Sequence, residues 1–272
     1  ATTYAVVAGE PYELVMKFAE SDALEFNMTP SEDGADIWFR LPAGVNADGF
    51  RGQVDIGLNE ASGHIPIQHD VKIEDGIVKI KWNTEDADFS ELKIAHGVTF
   101  DFYVWAKFDG SQTEVVFGDK DKTKFVVDNR SFLDVTKSVT GLESGLLTDE
   151  AAAEMKFVVK DASGQIVEEA QVEDPENPGT MIGAGYTFTY ADMTGGKYTI
   201  GMLDPGDYTV EEVSHPDFPN YTFTSTQQQT KTTVEVVPVT GGVAHLTNVY
   251  SVDKGWIKLS KTTEWYDRAG RP

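Results

Sequence analysis

The sequence predicts an all-β chain made of tandem β-sandwich or barrel domains, and three observations carry that expectation. Turn-forming clusters recur at short intervals: SEDGAD, LNEASGHIP, IEDG, FDGSQ, DASGQ, DPENPG, MTGG and LDPGD. Between them lie short runs rich in β-branched and aromatic residues, such as VKIKW, VTFDFYVWAKF, KFVVKD, YTFTY, KYTIGML, YTVEEV and TTVEVVPV. Short strands at regular turn spacing are the pattern of packed sheets. Only TDEAAAEM, Thr148 to Met155, has helical character, enough for one or two turns.

The 272 residues leave room for two ordinary domains, and a 40% hydrophobic content is enough for real cores. A net charge of -23 argues against nucleic acid and against an anionic membrane surface as partners. No run approaches the roughly 18 apolar residues of a membrane span, so direct membrane insertion is not expected. The opening ATTYAVVAGEPYELVMKF lacks the pattern of a signal peptide, so a mature or trimmed fragment is expected. With Cys 0, disulfides and thiolate metal sites are excluded. A small extracellular β domain usually needs a covalent staple, and here it cannot be sulfur.

Along the chain, residues 1–130 carry Trp38, Trp82 and Trp105. A boundary is expected near VVDNRSFLDVTKSV, after which residues 131–252 hold no tryptophan and are rich in Thr, Val and Gly. After SVDKG a new strand, WIKLSKTTEW, begins. The runs LDVTKSVT and IKLSKTTE align, Val135 with Leu259 and Lys137 with Lys261. This weak internal repeat marks 253–272 as the start of a cut-off further repeat, or a linker.

Strand alternation gives the chemistry of the second region. In LDPGDYTVEEV, Tyr208 and Val210 share a face with Glu212, while Glu211 falls on the opposite one. In FLDVTKSV, Leu133, Val135 and Val139 share a face with Lys137; in GVAHLTNVY, Ala244, Leu246 and Tyr250 share one with Asn248. Each polar residue interrupts an apolar face, where an unpaired charge is costly, so the three are expected to meet. Burial lowers a lysine's pKa toward the nucleophilic neutral amine and raises a glutamate's toward the hydrogen-bond-donating acid. A protonated Glu212 would polarise the Asn248 carbonyl, Lys137 would attack that carbon, and ammonia would leave. The product is an amide tying the first strand of the domain to the last. A buried Lys–Glu ion pair with a hydrogen-bonded Asn is the alternative reading of the same residues.

The run Leu203-x-x-Gly206-x-Tyr208-x-x-x-Glu212 resembles the E-box of Gram-positive pilins and of the collagen-adhesin B-type (CnaB) repeats. In that family a Lys near the domain start bonds to an Asn in the closing strand with help from the E-box Glu. The resemblance, which covers residues 131–252, implies those roles for Lys137 in DVTKSVTG, Asn248 in HLTNVY and Glu212. It departs downstream, where EVSHPDFPNY only approximates the usual Thr-x-Ala-Pro-x-Gly-Tyr continuation. Residues 4–130, with YELVMKF, DIWFRLPAGV, FDFYVWAKFDG and VVFGDKDKTKFVV, resemble the A-type immunoglobulin-like domains of bacterial surface adhesins. Some relatives there carry their own Lys–Asn bond with an Asp as acid, for which Lys17, Asp36 and Asn129 are the matching positions. Alternation speaks against it, since Leu14, Met16 and Phe18 form the apolar face and leave Lys17 on the other.

The resemblance thus implies tandem immunoglobulin-like β-sandwich domains in an extracellular cell-wall protein of a Gram-positive bacterium: a stalk or adhesin segment, not an enzyme. It implies covalent cell-wall attachment through a region beyond residue 272, and a host extracellular protein or glycan as the first domain's partner. The rival readings are a ligand-binding adhesin head and an accessory β-module of a secreted carbohydrate-active enzyme. Lys261 is expected to be uncross-linked.

Other chemistry is not expected. Of the histidines, His64, His69, His96, His215 and His245, two lie five apart in HIPIQHD. That spacing suits neither a helical nor a strand-face metal pair, so a surface loop is the expectation. No nucleophile elbow, zinc-protease motif or phosphate loop occurs, and no metal or cofactor is implied. The acidic runs TEDADFSE and GDKDK lack the ligand ladder of a calcium loop and read as solvated turns. Trp38, Tyr103 and Trp105 could form a sugar or protein platform, but are expected to pack in a core.

Overall fold

The computed structural model describes residues 2–19, 37–50, 55–58, 64–66, 69–82, 98–118, 122–224, 229–255 and 268–270. The chain is all-β and divides into two compact units. One comprises residues 1–133 with 199–207 and 235–242; the other comprises 134–198, 208–234 and 243–272. The sequence places boundaries near residues 130 and 252, whereas this division interleaves the chain.

Residues 2–130 supply β1 (Thr3–Val7), β2 (Pro11–Ala19), β3 (Ile37–Arg40), β4 (Val45–Phe50), β5 (Asp55–Leu58) and β6 (His64–Pro66). They continue with β7 (His69–Glu74), β8 (Ile77–Trp82), β9 (Val98–Phe108), β10 (Glu114–Phe117) and β11 (Thr123–Asp128). Three sheets result, in the orders β1-β11-β10, β2-β9-β5-β6 with β4 also on β9, and β3-β8-β7. The β7–β8 hairpin turns at Asp75 and Gly76, whose φ of 52° and 70° give the two left-handed residues a tight hairpin requires. Inward-facing Leu14, Val45, Val78, Ala106, Phe108, Val115 and Val127 form the core. Phe108 packs against Phe125 with ring centroids 5.2 Å apart.

Residues 131–252 supply β12 (Ser131–Thr140), α1 (Asp149–Glu154), β13 (Lys156–Lys160), β14 (Gln171–Glu173), β15 (Met181–Gly183) and β16 (Phe188–Thr189). After these come β17 (Lys197–Leu203), β18 (Gly206–Ser214), β19 (Tyr221–Phe223), β20 (Lys231–Val236) and β21 (Gly242–Val252). Two four-stranded sheets, β17-β12-β21-β19 and β16-β13-β18-β20, accompany the β14-β15 hairpin. The short helix α1 lies where three successive alanines favour it. Thr148 caps it by accepting from the Ala151 N–H, and buried Met155 returns the backbone to extended geometry. Gly141, just after β12, has a φ of +86°, and a Cβ there would stand 1.7 Å from the Tyr250 carbonyl oxygen. Only glycine tolerates both the backbone angle and the approach of β21.

Two expectations are corrected here. His64 lies in β6 and His69 opens β7, so HIPIQHD contributes to two strands rather than forming one loop. Trp38 and Trp105 are not core residues: they are 63% and 42% exposed. On β9 the buried parity is Val104, Ala106 and Phe108, and Trp105 stands on the other one with Tyr103 and Lys107. On β3, Trp38 shares the exposed parity with Arg40.

Candidate functional site

Alternation along three strands builds one buried polar cluster. On β12, Leu133, Val135 and Lys137 are buried in turn; on β21, Ala244, Leu246, Asn248 and Tyr250; on β18, Tyr208, Val210 and Glu212. β12 and β21 are neighbours in one sheet, and β18 belongs to the other, so the inner faces of both sheets meet at these side chains. Backbone bonds hold the positions: the Lys137 N–H donates to the Gly196 carbonyl at 3.1 Å, and the Glu212 N–H to that of Thr230 at 2.7 Å.

The three side chains form a closed ring. Lys137 Nζ donates to Glu212 Oε2 at 2.6 Å and to Asn248 Oδ1 at 2.6 Å. Asn248 Nδ2 donates to Glu212 Oε1 at 2.7 Å. The Lys137 and Glu212 side chains are both fully excluded from solvent. Desolvation pushes the Lys137 pKa down from its ordinary value, and the nearby Glu212 carboxylate only partly opposes this. The Phe157 ring covers the amine, 5.6 Å from Nζ to its centroid. Glu211, one residue away, points out and pairs with Lys231 at 3.3 Å.

The geometry differs in one respect from the expected chemistry. The Glu212 carboxylate faces the two nitrogens, not the Asn248 carbonyl oxygen, which is instead approached by Lys137. The donor inventory accounts for this: carboxylate oxygens accept, and the groups beside them with hydrogens to give are the two nitrogens. This suits the carboxylate to relay a proton. Oε2 can take a proton from Lys137, and Oε1 can deliver one to the amide nitrogen of Asn248 as it leaves.

Two residues at the cluster were not anticipated in that role. Phe157 pairs in register with Glu212 across β13 and β18, and Tyr250 lies two residues beyond Asn248 on the same face of β21. Parity placed Tyr250 on the buried face, but its hydroxyl was the unread signal, because a buried phenol needs a partner.

Of the second set of candidates, Lys17 and Asn129 lie among the described residues. Lys17 is exposed on β2, opposite Asp101 of β9 in the register. Asn129 Nδ2 donates to the Gly110 carbonyl at 3.2 Å, and Asp36 lies outside the described residues. Lys261 and the run TEDADFSE also lie outside the described residues, as does most of GDKDK. Of the histidines, His215 stacks on Phe223, and His245 meets the hydroxyls of Thr136, Ser138 and Thr247. Among the described residues no group of three His, Asp or Glu could hold a metal ion, and no helix is long and apolar enough to cross a membrane.

The fold and the cluster together define an all-β protein whose second sandwich encloses a Lys–Glu–Asn ring. No protein-family model and no curated protein matches the chain. Among solved structures it is similar to BcpA, the major pilin subunit of Bacillus cereus, with a TM-score of 0.31 and 14% identity over 92% of this chain and 67% of that one. The group B streptococcus pilus 2b backbone protein gives a TM-score of 0.27 and 12% identity over 91% of this chain and 95% of that one. An adhesin from Mobiluncus mulieris, described as containing intramolecular disulfide, isopeptide and ester bond cross-links, gives 0.28 and 11% over 88% and 99%. These likenesses are slight, and no residue's role is taken from them.

The site carries a pH prediction. The reactive form of Lys137 is the neutral amine, so its fraction, and the rate of any attack on Asn248, rises with pH. Because burial lowers the Lys137 pKa, the rise should level off below the ordinary lysine value of 10.5. Ammonia release followed by mass after pulsed cell-free synthesis at different pH values measures this. A rate that keeps climbing past that value would mean the amine is not desolvated when it reacts.

Proposed function

We propose that residues 131–252 form a self-cross-linking domain, and that the chain is a structural stalk or adhesin segment of a Gram-positive bacterial surface protein. The ring of three short hydrogen bonds among Lys137, Glu212 and Asn248 carries this reading. In the reaction, Lys137 gives a proton to Glu212 and its nitrogen attacks Cγ of Asn248. The Cγ–Nδ2 bond breaks, Glu212 returns the proton to the departing nitrogen, and ammonia leaves. One amide replaces another, with no cofactor or external reactant. The step happens once per chain, so the protein is modified rather than being an enzyme. The bond would join β12 to β21, the first and last strands of the domain, which otherwise could peel apart under load. Digestion followed by tandem mass spectrometry tests the chemistry: one branched peptide containing both Lys137 and Asn248 supports it, and two separate unmodified peptides refute it. The surface assignment is tested by the gene, where a cell-wall sorting signal downstream supports it and a fused catalytic domain favours the carbohydrate-active enzyme.

A second reading of the first domain is favoured by its exposed tryptophans, Trp38 at 63% and Trp105 at 42%. Flat exposed indoles suit stacking against a glycan or an apolar patch of a host protein. A glycan and matrix-protein array probed with the whole chain is expected to give a signal that Trp105→Ala lowers about two- to tenfold, the loss of one aromatic contact of about 0.5–1.5 kcal/mol. A signal indifferent to Trp38→Ala and Trp105→Ala would reject this surface.

A further inference from the structure

On the outer face of the sheet that carries Lys137 and Asn248, the His245 ring stands among three hydroxyls. β12 and β21 are neighbours, and the outward residues Asp134, Thr136 and Ser138 of β12 alternate with buried Leu133, Val135 and Lys137. On β21, His245 and Thr247 point outward between buried Ala244, Leu246 and Asn248. Both ring nitrogens are engaged. Nδ1 lies 2.8 Å from Thr136 Oγ1, and Nε2 lies 3.2 Å from Thr247 Oγ1 and 3.3 Å from Ser138 Oγ. The hydroxyls of Ser138 and Thr247 are themselves 3.2 Å apart. His245 is exposed and the two hydroxyl residues are half-buried, so the group is open to solvent.

The hydrogen bonds fix which nitrogen carries the proton. Thr136 Oγ1 gives its single hydrogen to the Ala244 carbonyl at 3.2 Å, since a carbonyl only accepts. The Thr136 oxygen is then an acceptor, so Nδ1–H is the donor at that contact. The neutral ring therefore turns the lone pair of Nε2 toward Ser138 and Thr247. A nucleophile within reach of a base, with the base oriented by a third group, is the arrangement that activates a hydroxyl. Ser138 is the less hindered of the two, a primary alcohol, whereas Thr247 carries a methyl group on the same carbon.

We propose that Ser138 and His245 form an acyl-acceptor site on this face, with Ser138 taking an acyl group from an activated ester or thioester. Nε2 takes the hydroxyl proton as Oγ attacks the acyl carbon. The bond from that carbon to the leaving oxygen or sulfur breaks, and His245 passes the proton to the leaving group. Ser138 ends as an ester and one alcohol or thiol is released, with nothing oxidised or reduced. Thr136 holds the ring in the reactive tautomer, and Thr247 holds the Ser138 oxygen beside Nε2. Nδ1 meets a hydroxyl rather than a carboxylate, so the imidazolium formed lacks the charged partner of a catalytic triad. A single slow acylation, not turnover, is the expected outcome.

The test treats the full chain with p-nitrophenyl acetate and follows acetyl on Ser138 by timed digestion and tandem mass spectrometry. The native chain is expected to acquire it at least about tenfold faster than His245→Ala, below the full worth of a well-polarised general base. Thr136→Val, which keeps the side-chain shape and removes the acceptor for Nδ1–H, should give an intermediate rate. A comparison without any variant uses the native chain in urea, where Ser138 should fall to the rate of Ser163, a serine of the 161–165 turn. Equal Ser138 rates in the native and His245→Ala chains overturn the proposal. So does a Ser138 that reacts no faster folded than unfolded, or acetyl found on Thr247 with Ser138 free. None of these outcomes depends on the Lys137–Asn248 bond, which is read separately from loss of ammonia.

Discussion

Replacing Glu212 by alanine is expected to leave the chain at its full sequence mass, folded but without a cross-link. The carboxylate bridges both nitrogens of the reaction, Lys137 Nζ at 2.6 Å and Asn248 Nδ2 at 2.7 Å. Without it Lys137 has no proton acceptor, and an amide nitrogen cannot leave as an unprotonated anion. The loss should be complete on a timescale of days, because general acid–base assistance is worth about 10²–10⁴-fold and here one group supplies both halves. The neighbouring Glu211→Ala is the control, and it should cross-link like the native chain. Glu211 is half-buried on the other face of β18, where its pair with Lys231 is an exposed one worth little. Intact mass of both variants reads the outcome. Loss of the bond in Glu211→Ala with retention in Glu212→Ala would place the wrong carboxylate in the site.

Thermal stability should respond almost as strongly. Lys137 and Asn248 are 111 residues apart, so a bond between them closes a loop spanning nearly the whole domain. By analogy with a disulfide, such a tie constrains the unfolded chain by about 4–5 kcal/mol. For a domain of this size that corresponds to a fall of about 15–20 °C when the bond is absent. Glu212→Gln is the variant to compare, because its amide can accept from Asn248 and donate to a neutral Lys137, leaving no buried charge. Lys137→Ala should fall further, by about 3–5 kcal/mol more, because it strands the Glu212 carboxylate without its partner. Calorimetry that finds Glu212→Gln melting with the native chain would mean no covalent tie exists to be lost.

Much of the site was legible because β-strand parity is unforgiving. Lys137, Glu212 and Asn248 each fall among Leu, Val, Ala and Tyr residues that must face a core, and no register exposes them while burying their neighbours. The same rule also marked VTFDFYVWAKF, where Thr99, Asp101 and Lys107 share the parity of Tyr103 and Trp105, but the two large aromatic rings on that side drew the reading toward a core. The direction of the Glu212 carboxylate was not legible at all. Which atom of an amide a carboxylate meets depends on side-chain torsions, and these do not follow from spacing. Phe157 escaped notice for a related reason: it reaches Lys137 from the facing sheet, through a β13–β18 register that shifts between Lys156 and Phe157. Pairwise meetings across a sandwich depend on such shifts, and a one-dimensional pattern does not record them.

The most direct measurement is the intact mass of the purified native chain against the mass calculated from its sequence. A deficit of one ammonia, absent from Lys137→Ala, Asn248→Ala and Glu212→Ala, is the result expected from the Lys137–Glu212–Asn248 ring. A native chain at full sequence mass would contradict the account and leave the three residues as a buried ion pair with a hydrogen-bonded amide.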